Sequence, residues 1–184
     1  MTCIVGIVKD GNVYIGGDSA GVSSDYDRHL RKDKKVFRNG PFVMGFTSSF
    51  RMGQLLQYKL NVPRRAEYID IMDFMVNSFV DAVRFCLKDG GYSTISANTE
   101  TGGTFLVGYQ GRLFQIQGDF QVAETISGYD AVGCGQSYAL GSLFTTVESG
   151  WSPEDRITVA LLAASHHSAG VCEPFLIETL KGNE

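Results

Sequence analysis

No apolar run in this chain approaches the length needed to cross a membrane as a helix, so no membrane span is expected. Met1-Thr2 leads straight into a strand pattern, so no signal peptide is expected either. Cysteines are few (Cys3, Cys86, Cys134 and Cys172) and none stand in CxxC spacing. That argues against a disulfide framework and against a zinc site. It fits free thiols in a reducing cytoplasm. The three histidines are not grouped as ligands: His29 falls in a polar loop, and adjacent His166 and His167 face different sides of a helix end. No metal site is expected. Neither sign of charge dominates. The net charge is −4, with acidic and basic residues mixed along the chain, which argues against nucleic acid as the main partner. Repeats, linkers and low-complexity tracts are absent. What remains is 184 residues, 43% hydrophobic and 20% charged, as in one ordinary soluble domain spanning 1–184 with enough chain for a real core.

The most informative stretch is the first thirty-five residues or so. Two apolar runs, Ile4 to Val8 and Val13 to Ile15, flank Lys9-Asp10-Gly11-Asn12. Asp-Gly between β-branched runs is a strong hairpin signal. Strands are expected at 2–9 and 12–18, which returns Asp18 beside Thr2. After a polar loop, a third strand at 35–38 can bring a lysine to the same place, and a fourth at 41–46 follows the Asn39-Gly40 turn. A helix is expected over 48–60. Another is expected over 66–88, with Ile69, Met72, Met75, Val76, Phe79, Val80, Val83 and Cys86 on one stripe. Strands follow at 104–109, 112–117 and 129–133, then a helix at 136–148. Ser152-Pro153 opens a last helix, to about His166, that reads as apolar on most sides and hence buried. The final strand is expected at 171–179. The pattern is an α+β layered domain, and strands such as Cys3–Val8, apolar on both faces, call for a sheet covered on both sides.

Threonine at a free N-terminus has a specific chemistry. Its hydroxyl is a weak nucleophile until a base takes the proton. An N-terminal amine, with an ordinary pKa of about 7.7–8.0, is available as that base at neutral pH. A nearby ammonium favours deprotonation of both groups. Thr2, Asp18 and Lys35 could supply nucleophile, positioning carboxylate and ammonium. Cys3, a better nucleophile intrinsically, would need a second cleavage to become N-terminal and reads as a buried strand residue. Thr47-Ser48-Ser49, at the expected start of the first helix, offers main-chain N–H groups for an oxyanion, with Ser48 N–H the expected donor; an ordinary serine N-cap is compatible with this. Gly133-Cys134-Gly135 is a weak nucleotide signal, since it lies late and lacks a third glycine.

These residues resemble the N-terminal region of proteasome β-subunits and of the bacterial peptidase HslV: Thr2 after Met1, Gly16-Gly17-Asp18, and Lys34-Lys35-Val36. The Thr-to-Asp spacing fits that family. Lys34 stands at the family's distance, but Lys35 is preferred because Val36 reproduces the local pattern. The likeness runs over most of the chain and loosens after the N-terminus. It implies the four-layer αββα sandwich of N-terminal-nucleophile hydrolases. It further implies a threonine peptidase that needs no cofactor and acts on peptide or unfolded protein, built as a homo-oligomeric ring of cytoplasmic location with an ATP-dependent unfoldase as a further partner. The short segment before Thr2 looks more like HslV than like most proteasome β-subunits. Cys134 stands at the family's Gly-Ser-Gly serine, which assists the amine. Ser168 matches the serine of its Asp-x-x-Ser-Gly-Gly, but Ser165 replaces the aspartate, and Ser48-Ser49 replaces a Gly-Gly pair. Two other readings stay open: a small-molecule amidohydrolase on the same fold, and a non-catalytic ring or scaffold subunit.

Overall fold

The computed structural model describes residues 1–23, 25 and 27–182; Ser24 and Tyr26 of the loop after Asp18, and Asn183 and Glu184, lie outside the described residues. The first hairpin forms where Asp10-Gly11 directs it. β1 (Cys3–Lys9) and β2 (Asn12–Gly17) pair antiparallel, Lys9 opposite Asn12 and Ile4 opposite Gly17. Asp10 and Gly11 both take positive φ, 51° and 73°, the signature of a type I′ turn. The loop that follows carries regular structure at Ala20–Val22 and Arg28–Leu30. It holds a small hairpin of β3 (Ala20–Val22) and β4 (Arg28–Leu30), so His29 lies on a strand.

β5 (Val36–Asn39) and β6 (Phe42–Phe46) then pair around Gly40. Helix α1 (Phe50–Tyr58) starts two residues later than expected. Ser49 is its N-cap, and the Ser49 side chain accepts a hydrogen bond from Arg51 N. The next helical segment starts at Asp70, whose side chain caps α2 (Ile71–Phe74), and not at 66. It continues through a π-helical turn, Met75–Phe79, into α3 (Val80–Asp89). That turn adds a residue to the repeat and moves the buried stripe. Val76, expected inside, is 48% exposed, while Phe74 and Leu87 are buried.

β7 (Thr94–Ser96) and β8 (Thr99–Thr101) form an exposed hairpin that the sequence pattern did not mark. β9 (Phe105–Tyr109), β10 (Arg112–Ile116) and β11 (Val122–Glu124) make a meander, and β12 (Tyr129–Gly133) follows. Helix α4 (Gln136–Thr145) is shorter than expected. Helix α5 (Pro153–His167) opens at the Ser152 cap with Pro153 in its first turn. α5 is not buried all round: Ile157, Ala160, Leu161 and Ala164 face inward, but Leu162 is 43% exposed. The final strand, β13 (Leu176–Leu180), begins five residues later than expected. The residues before it are held by Ser19 instead, whose N–H donates to Cys172 O (3.1 Å) and whose hydroxyl donates to Pro174 O (2.6 Å).

The strands form two main sheets, in the orders β12-β1-β2-β13 and β11-β10-β9-β6-β5. Ile4, Val13 and Ile15 of the first sheet pack on Val36, Val43 and Leu106 of the second. On the outer side of the first sheet, Cys3, Val5 and Ile7 pack on α4 and α5. On the outer side of the second, Phe42, Met44 and Phe46 pack with Met52, Leu56, Phe79 and Val83 of the other helices. The result is an αββα sandwich, and it explains β1. Its odd residues face helices and its even residues face a sheet, so both faces must be apolar. Each fully buried Val, Leu, Ile or Phe side chain contributes about 1.5–3 kcal/mol. Phe42, stacked between Phe79 (4.9 Å) and Tyr109 (4.4 Å), anchors one outer layer.

Candidate active site

The two sheets approach closely where β1 begins and β2 ends. A Cβ on Gly17 would sit 2.7 Å from Ile4 and 2.8 Å from Val36, so only glycine lets the strands approach there. This approach brings Asp18, one residue past β2, and Lys35, one residue before β5, to the N-terminal end of β1. Asp18 and Lys35 are each 2% exposed, and Thr2 is 5% exposed.

The group is closed by hydrogen bonds. Lys35 Nζ donates to Asp18 Oδ1 (3.0 Å), Asp18 Oδ2 (2.9 Å) and Thr2 Oγ1 (3.0 Å). An ammonium has three hydrogens, and three acceptors face it. The carboxylate also accepts main-chain hydrogen bonds from Cys3 N (2.9 Å) and Ala20 N (2.8 Å), which fix its plane. Burial pushes the Lys35 pKa below its usual value, and the adjoining Asp18 carboxylate opposes that shift. Lys34 is directed outward, pairing with Glu178 at 3.3 Å. Of the two lysines, the structure therefore brings Lys35 to Thr2.

The Thr2 main chain is held from the other side. Its N–H donates to Cys134 Sγ (3.2 Å), and its carbonyl accepts from Gly135 N (3.4 Å). Cys134 Sγ lies 3.4 Å from Ser168 Oγ, so Ser168 stands behind the thiol. No hydrogen bond joins Ser165 to this group among the described residues. His167 stacks on Tyr138 (5.0 Å) and His166 lies edge-on to His167 (4.7 Å). Gly133 has φ 102°, and a Cβ there would lie 2.2 Å from Thr2 O. Gly133→Ala is accordingly expected to cost about 2–4 kcal/mol, read as a lower midpoint in denaturant unfolding. Cys3 is fully buried, and its thiol is pushed up to about 12, first by burial and then by Asp18. It stays protonated at neutral pH and is a poor nucleophile.

Ser48 lies outside α1, contrary to expectation. It takes φ 64° in a turn where Ser49 N donates to Thr47 O (2.7 Å). That left-handed backbone is the conformation glycine adopts most readily. The Ser48 hydroxyl accepts from Thr104 N (3.1 Å), which pins the turn. Ser48 and Thr2 line one small cavity of about 70 Å³, together with Met1, Val22 and Phe50. The Met1 carbonyl accepts the Thr2 hydroxyl hydrogen bond and so occupies the nucleophile. A second cavity, about 200 Å³, adjoins through Val22 and Phe50 and is lined also by Gly21, Ser23, His29 and Arg31. No motif spacing points to this outer wall. The signal for it in the sequence is the local concentration of Arg28, Arg31, Lys32, Lys34 and Lys35 in an acidic chain.

With this arrangement in a two-sheet αββα sandwich, the chain has the fold of the proteasome-like N-terminal-nucleophile hydrolases. The solved structures it resembles include BPH from Thiobacillus denitrificans in complex with epoxomicin, at a TM-score of 0.76 and 18% identity, covering 98% of each chain. HslV from Trypanosoma brucei matches at 0.70 and 19%, covering 98% of this chain and 99% of that one. Anbu from Yersinia bercovieri matches at 0.67 and 14%, covering 98% and 82%. No protein-family description and no curated protein matches the sequence. Among the described residues no helix is long and apolar enough to cross a membrane.

Proposed function

We propose that the chain is a threonine-type peptidase in which Thr2 is the nucleophile once the bond between Met1 and Thr2 has been cut. The observation that carries this reading is the buried Lys35 ammonium shared between the Thr2 hydroxyl and both oxygens of Asp18. An ammonium enclosed with a hydroxyl favours loss of the hydroxyl proton and stabilises the alkoxide.

Cleavage after Met1 turns the Thr2 amide nitrogen into an amine beside Cys134. It also removes the carbonyl that holds the hydroxyl. The amine then takes the hydroxyl proton, and Oγ1 bonds to the substrate carbonyl carbon. The oxyanion is received by main-chain N–H, with Ser48 N the assigned donor; a donor of this kind is worth about 10²–10³-fold. The protonated amine gives its proton to the leaving amine as the C–N bond breaks. Water hydrolyses the ester by the same steps in reverse roles. Asp18 holds Lys35 in place. Cys134 and Ser168 orient the amine. No cofactor enters this scheme.

An epoxyketone tests the assignment, because it needs both a free amine and a hydroxyl on one residue. Slow covalent labelling at Thr2 is expected, and absence of labelling in protein that has lost Met1 would favour a non-catalytic subunit. The epoxomicin complex of the Thiobacillus fold neighbour makes that reagent a natural choice.

Ser165 stands where the resemblance places a carboxylate, so turnover of short peptides is expected to be slow. General acid–base assistance is typically worth about 10²–10⁴-fold. Ser165→Asp is therefore expected to raise the rate of peptide hydrolysis, and wild-type turnover near the ordinary enzyme value of about 10 s⁻¹ would contradict this account of the substitution.

The active form proposed is a homo-oligomeric ring that confines the site, with unfolded protein as substrate and an ATP-dependent unfoldase as partner. Large exposed apolar side chains on the outer helices and their connection support association: Phe144 of α4 is 72% exposed, Phe85 of α3 74%, and Trp151 between α4 and α5 47%. Sedimentation at micromolar concentration is expected to show an assembly. A 20 kDa monomer would favour the small-molecule amidohydrolase reading instead.

A further inference from the structure

The cavity adjoining the Thr2 site is built around one cation. Arg31 is fastened on four sides. Its Nε and Nη2 donate to Asp33 Oδ1 and Oδ2, both at 2.7 Å. Its guanidinium lies over the Phe50 ring, 3.8 Å from the centroid. Its main-chain N donates to Ser19 O at 3.1 Å, next to Asp18. Its aliphatic stem fills the space of a missing side chain at Gly21, where a Cβ would come within 2.6 Å of Arg31 Cδ. Side chains at Gly21 or a shorter residue at 50 would release it. An exposed arginine is ordinarily mobile; this one has a fixed direction.

The fixed guanidinium faces the cleft. It lines the 200 Å³ cavity, and 38% of its side chain remains exposed. Asp33 uses one edge of the fork. Nη1 has no acceptor among the described residues, so a donor remains for a ligand. Phe50 connects this cation to the catalytic group: Lys35 Nζ lies 5.6 Å from the centroid of the same ring. Charges of both signs surround the cavity: Arg28 and Lys32 are exposed, Asp25 and Asp27 adjoin the lining residue Ser23 through main-chain hydrogen bonds to its hydroxyl, and Lys34 is paired with Glu178.

We infer that Arg31 is a specificity-determining residue that recognises a carboxylate of the substrate beside the scissile bond. The inference rests on the reading of Thr2 as nucleophile and adds the class of substrate. A planar fork held by Asp33 and Phe50 is prepared to donate to a carboxylate without losing further side-chain freedom. Two sources could present that group: an Asp or Glu side chain, or the free C-terminus of a short peptide.

The test uses full-length protein lacking Met1 and fluorogenic peptides that differ only by Glu, Gln or Lys at each position near the cleaved bond. A second set carries a free or an amidated C-terminus. We expect kcat/KM for one carboxylate-bearing peptide to exceed that of its amide counterpart by about tenfold, the order of a charge-assisted hydrogen bond at a partly exposed site. The Glu/Gln set and the C-terminal set identify which source is read. Arg31→Ala should bring the ratio close to one. If that variant fails to fold, the wild type alone decides the matter: the carboxylate advantage should shrink as salt rises from about 0.05 M to about 0.5 M. Equal rates for all members of both sets, a preference for Lys, or a carboxylate preference that survives Arg31→Ala would overturn the assignment. A wild type that hydrolyses none of the peptides and takes no epoxyketone at Thr2 would overturn the reading of the site instead.

Discussion

Lys35→Ala is expected to abolish peptide hydrolysis and to destabilise the fold together, whereas Lys34→Ala should do neither to a large extent. Lys35 Nζ holds three hydrogen bonds inside a site almost closed to solvent. Its removal leaves the Asp18 carboxylate buried with main-chain donors alone. Breaking a buried ion pair by deleting one partner costs about 3–5 kcal/mol. The same change removes the charge facing the Thr2 hydroxyl. Lys34, paired with Glu178 at the surface, contributes at most about 1 kcal/mol. Chemical denaturation and peptide hydrolysis on both variants check this. Inactive Lys34→Ala with active Lys35→Ala would mean that spacing along the chain, and not contact, selects the lysine.

The pH dependence follows from the same pair. Burial lowers the Lys35 pKa, so the folded chain releases this proton before the unfolded chain does. Between the lowered value and the usual lysine value, the unfolded state binds more protons. In that window the Lys35 contribution to stability rises with pH. Activity should move the other way, because the charge facing the alkoxide is lost. An alkaline fall in kcat/KM below the ordinary lysine range, without unfolding, is the expected profile.

Thr2→Ala should eliminate hydrolysis and leave the fold nearly intact. The hydroxyl is the group that attacks the substrate carbonyl in the proposed reaction, and the nearby Cys3 thiol, pushed up to about 12, cannot replace it. The loss in stability should be small. One methyl and one hydroxyl go, and the Lys35–Asp18 pair keeps its two remaining contacts. Unfolding within about 1 kcal/mol of wild type is expected. Residual hydrolysis at the wild-type rate would remove Thr2 from the mechanism.

The contrast between these variants reflects what could be read from residues alone. The Asp10-Gly11 turn fixes the hairpin register, and the register places Asp18 beside Thr2 before any tertiary contact is known. The approach of Lys35 depends on the packing of two sheets, and the choice between Lys34 and Lys35 is a matter of which face of the chain turns inward. Short local motifs carry the first kind of information and only part of the second. β4, β7 and β8 are largely exposed and β3 is three residues long, so periodicity gives no signal for either hairpin. The π-turn at Met75–Phe79 defeats a stripe drawn at the ordinary helical repeat, which is why Val76 is outside. β13 starts late because Ser19 claims the carbonyls of Cys172 and Pro174. Ser48 is a tertiary feature as well, since its φ of 64° belongs to a turn pinned by Thr104.

Intact mass spectrometry of the population that cleaves peptide tests the central claim most directly. With Met1 attached, the Thr2 nitrogen is an amide and cannot act as a base, and the Met1 carbonyl holds the hydroxyl. The active species is expected to lack Met1 and to begin at Thr2. A preparation that retains Met1 completely and still hydrolyses peptides through this site would contradict the account.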